Sequence, residues 1–253
     1  MNKNDVTFCT GFWYVVTGSG EPARHSFSHY INCMTNTFEL LKDSNIIFFY
    51  EDENILNRVE KYVNSDNFEV RKIEISDLPT WEVSKFYLES CKRQDYEALK
   101  KINNIGEKGV RHYRDEYKKS GEISYRKIFT IWSSKIFLVD RLIEENIFGT
   151  NNFSWVDISY GRFKEKRDRW NFAELDFDDN HIYHYNSNMK YFGKKIDLNA
   201  SFLFGHRNSW DKFILLYKTQ IDQTRNSSYA HDEETIINLF YEDNINLFRN
   251  LGG

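Results

Sequence analysis

Three short constellations in this sequence hold residue types that could do chemistry. The first is Asp157, which closes the apolar run Phe153-Ser154-Trp155-Val156 and is followed by Ile158 and Ser159. A carboxylate at the tip of a buried strand faces the crevice at a sheet's carboxyl edge, between walls of low dielectric. It can hold a hard divalent cation through oxygen. Such a cation bridges the two phosphates of a nucleotide-sugar and neutralises charge on a departing diphosphate. Position alone leaves a capping or loop aspartate equally open.

The second constellation is Thr10-Gly11-Phe12, with Arg24 further on. A glycine lets a ligand approach the backbone, and an aromatic ring beside it can stack on a nucleobase. The third is His231-Asp232-Glu233-Glu234, directly ahead of an apolar helical run. Acids in a first helical turn suit the macrodipole and Asp caps well, so capping is one reading. In the chemical reading, one carboxylate acts as general base on an acceptor hydroxyl or positions a sugar. The stretch Ser201-Phe202-Leu203-Phe204-Gly205-His206 would then form the floor beneath that sugar.

Other patterns carry less. The run Arg162-Phe163-Lys164-Glu165-Lys166-Arg167-Asp168-Arg169 is either a solvated face or a site for phosphates or an anionic acceptor. His181 and His184 stand three apart without an HExxH motif, which favours a partly exposed loop pair over zinc. No GxGxxG, GxxxxGK[ST] or GxSxG is present, so dinucleotide, P-loop and serine-hydrolase readings lack support. Cys9, Cys33 and Cys91 are widely spaced and fit free thiols in a reducing compartment.

The elements that must position these groups can be read from periodicity. Val6–Val16 reads as a buried strand, Ser26–Leu41 as a helix, Ile46–Tyr50 as a strand, Ile55–Val63 as a helix and Phe68–Ile75 as a strand. This β-α-β-α-β order predicts an α/β fold with a mostly parallel mixed sheet and helices on both faces. Ligands in such folds bind where the strand order reverses. Trp81–Lys119 reads as peripheral and helical, Ile128–Glu145 as a strong helix, Phe153–Asp157 as a strand and Gly161–Asn188 as irregular. Ile196–Gly205 reads as a strand, and Trp210–Gln223 and Glu233–Leu239 as helices.

Composition sets the outer bounds. At 253 residues and 40% hydrophobic content the chain suits one large domain or two small ones. Net charge is −4, so no basic field argues for nucleic acid. No signal-peptide pattern and no membrane-length apolar run is present, which predicts a soluble, cytoplasmic protein. Aromatics make up 17%, enough that some should line a groove or interface; a homodimer is the corresponding expectation.

Three segments together resemble one family. Val6 through Phe12 followed by Arg24 and Tyr30 is similar to the opening of the HtrL/YibB-like proteins. Ile131-Trp132-Ser133-Ser134-Lys135-Ile136, then Trp155-Val156-Asp157-Ile158-Ser159 with Gly161-Arg162, resembles that family's centre, and Ser201–Gly205 with Asp232-Glu233-Glu234 its close. The family is similar in layout to GT-A glycosyltransferases, in which a strand ends in Asp-x-Asp and binds Mn²⁺ or Mg²⁺ with the sugar nucleotide. Here Ser159 stands at the third position of that motif, leaving Asp157 as its one carboxylate, beside Ser159.

The resemblance implies a single domain over 1–253, with 1–80 the nucleotide-binding β-α-β part and 120–253 the metal, sugar and acceptor part. It implies that Thr10, Gly11, Phe12, Arg24, Lys135, Asp157, Arg162 and Gly205 meet a nucleoside diphosphate sugar, while Asp232 and Glu233 flank the acceptor. The activity it implies is hexose transfer to a surface glycan, the alternative being a protein of this fold that binds glycan or a partner without turnover.

Overall fold

The computed structural model describes residues 5–63, 66–93, 119–163, 177–187, 190–191, 194–225 and 232–252. Strand β1 (Val6–Phe12) is buried along its whole length, as its β-branched and aromatic residues require. Helix α1 (Phe27–Leu40) starts at Ser26, whose hydroxyl accepts from the His29 N–H, and buries the stripe Cys33, Met34, Thr37 and Phe38. There follow β2 (Asn45–Tyr50), α2 (Leu56–Val63), β3 (Phe68–Lys72), α3 (Ser84–Arg93) and the long α4 (Glu122–Glu145). Strand β4 (Asn152–Val156), β5 (Ile182–Asn186), the short β6 (Lys190–Tyr191) and β7 (Lys194–Lys195), β8 (Leu198–His206), α5 (Arg207–Thr224), α6 (Glu233–Tyr241) and β9 (Phe248–Asn250) complete the order.

Among the described residues, seven strands form one sheet in the order β3-β2-β1-β4-β8-β5-β9. Strands β1 to β4 run parallel, and β8 is the antiparallel member, between β4 and β5. Helices cover both faces. Phe8, Phe12, Phe48 and Phe204 pack with Met34 and Phe38 of α1 and Val59 of α2. On the other face Cys9, Ile47, Phe49, Trp155 and Leu203 pack with Ile136 and Val139 of α4, Trp210 and Phe213 of α5, and Ile237 of α6. Each strand thus feeds both layers by alternation.

The expected α/β architecture is the one observed, with several local corrections. Strand β1 ends at Phe12 rather than Val16, because Val15 and Val16 turn back to pair with Ala23 and Pro22. Strand β3 stops at Lys72, and Ile75 opens a 3₁₀ turn whose N–H is held by the Glu51 carboxylate. The region expected to be irregular contains β5. His184 is fully buried there, its Nδ1 paired with the Tyr185 carbonyl and its Nε2 with the Tyr241 hydroxyl, whereas His181 pairs with Asp178. His184 is thus a buried strand residue rather than half of a partly exposed loop pair. Cys9 and Cys33 are buried free thiols. Residues 94–118, the Cys91 side chain, Lys164–Arg169 and His231 lie outside the described residues. Among the described residues, no helix is long and apolar enough to cross a membrane.

Candidate functional site

The chain runs from β1 outward to β2 and β3, then returns to place β4 on β1's other side. The strand order therefore reverses between β1 and β4, where the carboxyl ends of parallel strands leave a crevice. A cleft of about 560 Å³ occupies this point. Gly11, Phe12 and Trp13 reach it from the end of β1, and Asp157, Ile158 and Ser159 from the end of β4. The two constellations that the sequence separates by some 145 positions share one cavity.

Its walls differ in character. On the β1 side stand Arg24, His25, His29 and Tyr30, from the β1–α1 connection and the first turns of α1. Arg24 lies over the Trp132 ring, 4.9 Å from its centroid. On the β8 side stand Asn199 and Ser201 of β8 with Asp232, Glu233 and Glu234 at the start of α6. Glu234 accepts the Ala200 N–H at 2.9 Å, which pins the α6 start over β8. Between the walls, Ile128, Ile131, Trp132 and Lys135 present one stripe of α4 at helical spacing.

Lys135 is the electrostatic centre. Its ammonium lies 2.7 Å from Asp157 Oδ1 and also pairs with Glu233 Oε1, with the side chain only 5% exposed. Burial works against its charge, but the Asp157 and Glu233 carboxylates more than offset this and hold its pKa above the ordinary lysine value. Asp157 Oδ1 takes a second hydrogen bond from Trp155 Nε1 at 2.8 Å. Both interactions fall on one oxygen, and the Asp157 side chain keeps 22% of its exposure. The ion pair braces this carboxylate without sealing it from the cleft.

The acids beyond Lys135 are tuned differently. Burial pushes the Glu233 carboxyl up to about 7, against the pull of Lys135 and with help from the charges of Asp232 and Asp157. Burial, then the charges of Asp232 and Glu233, push Glu234 up to about 8. Asp232 caps α6, its Oδ1 accepting from the Thr235 N–H at 2.9 Å. The capping reading of Asp232 is thus realised, in a residue that also lines the cleft.

Of the expected ligand-contacting residues, Gly11, Phe12, Arg24, Lys135, Asp157 and Arg162 line the cleft, with Ser159, Asp232 and Glu233. Two do not. Thr10 is fully buried one step inside β1, and its hydroxyl has no hydrogen-bond partner among the described residues. Gly205 pairs with Phe153 near the start of β4, at the opposite sheet edge from Asp157, because β8 runs antiparallel. A Cβ there would fall 2.7 Å from Ser209 Oγ and 3.0 Å from the His181 carbonyl, so Gly205 serves close packing. Only Ser201, at the near end of β8, belongs to the expected floor. Asn199, Trp13 and His29 are site residues that motif reasoning did not single out.

Asp157 and Ser159 fit a hard divalent cation poorly. One Asp157 oxygen already carries the Lys135 ammonium, and Ser159 Oγ accepts from Arg162 Nη1 at 2.8 Å, so a divalent ion at either residue would meet a fixed positive charge beside it. Among the described residues, no group of three or more His, Cys, Asp or Glu side chains is arranged to hold a metal ion.

The chain has no match among the curated proteins. A family pattern described as "Bacterial protein of unknown function (HtrL_YibB)" matches residues 4–253, and with that coverage the chain belongs to the HtrL_YibB family.

Proposed function

We propose that the protein is a glycosyltransferase that moves a hexose from a nucleoside diphosphate sugar to a hydroxyl of a surface glycan. The observation that carries this reading is the polarity of the switch-point cleft, with Arg24, His25 and His29 on one wall and Asp232, Glu233 and Glu234 on the other. A nucleoside diphosphate sugar has matching polarity: an anionic diphosphate at one end and a hydroxyl-rich ring at the other. Phe12, Trp13, Tyr30 and Trp132 supply faces for a base or sugar ring.

In the proposed reaction the acceptor oxygen attacks the anomeric carbon. The bond from that carbon to the diphosphate oxygen breaks, and its electron pair leaves with the diphosphate. Arg24, Arg162 and Lys135 meet the developing charge. The acceptor proton passes to a carboxylate of the α6 start. Glu233, whose pKa burial raises to about 7, is suited to a proton transfer at neutral pH, with Asp232 beside it.

One observation favours a second reading, a glycan- or partner-binding protein without turnover. Glu233 Oε1 and Asp157 Oδ1 both rest on Lys135, so neither carboxylate is a free base in this arrangement. A panel of UDP-, GDP- and CDP-sugars separates the two readings, scored for sugar release and for transfer to glycan acceptors. Release or transfer that disappears in Asp157→Ala, with the melting profile retained, supports the enzyme. Binding without release under every condition supports the second reading.

A further inference from the structure

We infer that the cleft supplies its own cation: the Lys135 ammonium occupies the position between Asp157 and Glu233 that a divalent ion would otherwise take, so the donor diphosphate is bound without metal. The metal half of this inference stands on geometry alone, and the diphosphate half rests on the nucleotide-sugar reading above.

Two carboxylates converging on one point from different elements, β4's end and α6's start, form the usual frame for a hard cation. Here that point is held by Lys135, 2.7 Å from Asp157 Oδ1 and in contact with Glu233 Oε1. The ammonium is fixed rather than adventitious. It arises mid-helix on α4, is 5% exposed, and sits 5.9 Å from the centroid of the Trp155 ring. Trp155 in turn donates to the same Asp157 oxygen.

A divalent ion brought to Asp157's other oxygen would lie within a few ångströms of this charge, and the Coulomb repulsion would be strong in so buried a setting. The neighbouring hydroxyl gives no relief, because Ser159 Oγ already faces the Arg162 guanidinium. An ammonium has three N–H donors. Two are spent on Asp157 and Glu233, which leaves one for a ligand oxygen in the cleft that Lys135 lines. One positive charge on the chain thereby does what a bridging metal does elsewhere: it orders two carboxylates and presents a donor to the phosphates.

The test is Mn²⁺ binding to the intact protein, followed by electron paramagnetic resonance of the free ion. Wild type is expected to bind no Mn²⁺ that Asp157→Asn removes, and Lys135→Ala, with the two carboxylates released, is expected to gain affinity by about tenfold or more. Wild-type Mn²⁺ binding that Asp157→Asn abolishes would overturn the inference. So would a folded Lys135→Ala that binds no better than wild type. If Lys135→Ala does not fold, the comparison of wild type with Asp157→Asn still decides. In a parallel titration, UDP affinity is expected to be equal in chelator and in Mg²⁺, and affinity seen only with Mg²⁺ would overturn the diphosphate half. Absence of UDP binding in both media counts against the nucleotide-sugar reading and leaves the metal result standing.

Discussion

The Trp13 indole folds back over Gly11: a Cβ built on Gly11 would lie 2.5 Å from ring atoms Cη2 and Cζ3 of Trp13. The ring cannot simply retreat. Its Nε1 donates to the Ile73 carbonyl at 3.0 Å, and Phe49 Cβ lies 3.2 Å from the same point. The requirement for glycine at the end of β1 is therefore set by an aromatic wall of the cleft. Gly11→Ala is expected to cost about 1–3 kcal/mol through overpacking. It should also weaken donor binding by about tenfold as the indole is pushed toward the cavity. Urea unfolding and calorimetric titration with UDP measure the two effects; unchanged affinity would remove Trp13 from the binding wall.

A second prediction concerns the loop that carries Asp157 and Arg162. Thr37 of α1 donates from Oγ1 to the Ile158 carbonyl at 2.7 Å and accepts from the Gly161 N–H at 2.8 Å, fully buried. Gly161 is pressed so close that a Cβ would lie 2.6 Å from the Cys33 carbonyl. Thr37→Val keeps the volume and strands both backbone groups, which should cost about 1–3 kcal/mol. Because this loop positions cleft residues, KM for the donor should rise more than kcat falls.

Removing Lys135 tests the buried charge cluster as a structural unit. Lys135→Met leaves Asp157 and Glu233 facing one another without their shared cation. Breaking a buried pair in this way typically costs about 3–5 kcal/mol. A denaturation midpoint unchanged from wild type would show that the triad holds nothing together.

The pH dependence of stability has a definite sign. The Glu233 and Glu234 carboxyls are raised to about 7 and about 8 in the folded chain, whereas unfolded glutamates ionise near about pH 4.3. Across that interval the native state binds more protons than the unfolded state, so stability falls as pH rises. Carboxylates whose pKa values are lowered, such as Glu39 beside Lys61 and Glu82 beside Lys85, act below this window. The melting temperature should therefore be several degrees higher at about pH 5.5 than at about pH 8.5, and Glu234→Gln should flatten the slope. A melting temperature that climbs over this range would contradict the assignment.

Much of the cleft was legible because strands parallel by sequence order must end on the same edge. Once Val6–Val16 and Phe153–Asp157 read as strands of one mostly parallel sheet, their carboxyl ends belonged on one edge; that Gly11 stands at that edge follows from β1 ending at Phe12. Lys135 was legible only through the family resemblance, since a lysine within an apolar helical stripe carries no signal of what it faces. Gly205 was misplaced because nothing within a strand states its direction, and β8 reverses it. Ser201 and Asn199 fall at the cleft for the same reason. Strand β5 was missed because its Ile-Tyr-His-Tyr-Asn sequence is buried by partners far along the chain: β8 on one side and the three residues of β9 on the other. Thr10 looked ligand-facing because it adjoins Gly11, but strand alternation turns its side chain into the sheet packing beside Phe8 and Phe12.

The central claim, that a nucleoside diphosphate lies across the β1–β4 switch point, is tested most directly by crystals soaked with UDP. The prediction is density for the diphosphate among Arg24, Lys135 and Arg162, with the open oxygen of Asp157 facing the same cavity. UDP bound elsewhere on the molecule, or a cleft that stays empty at saturating UDP, would contradict it.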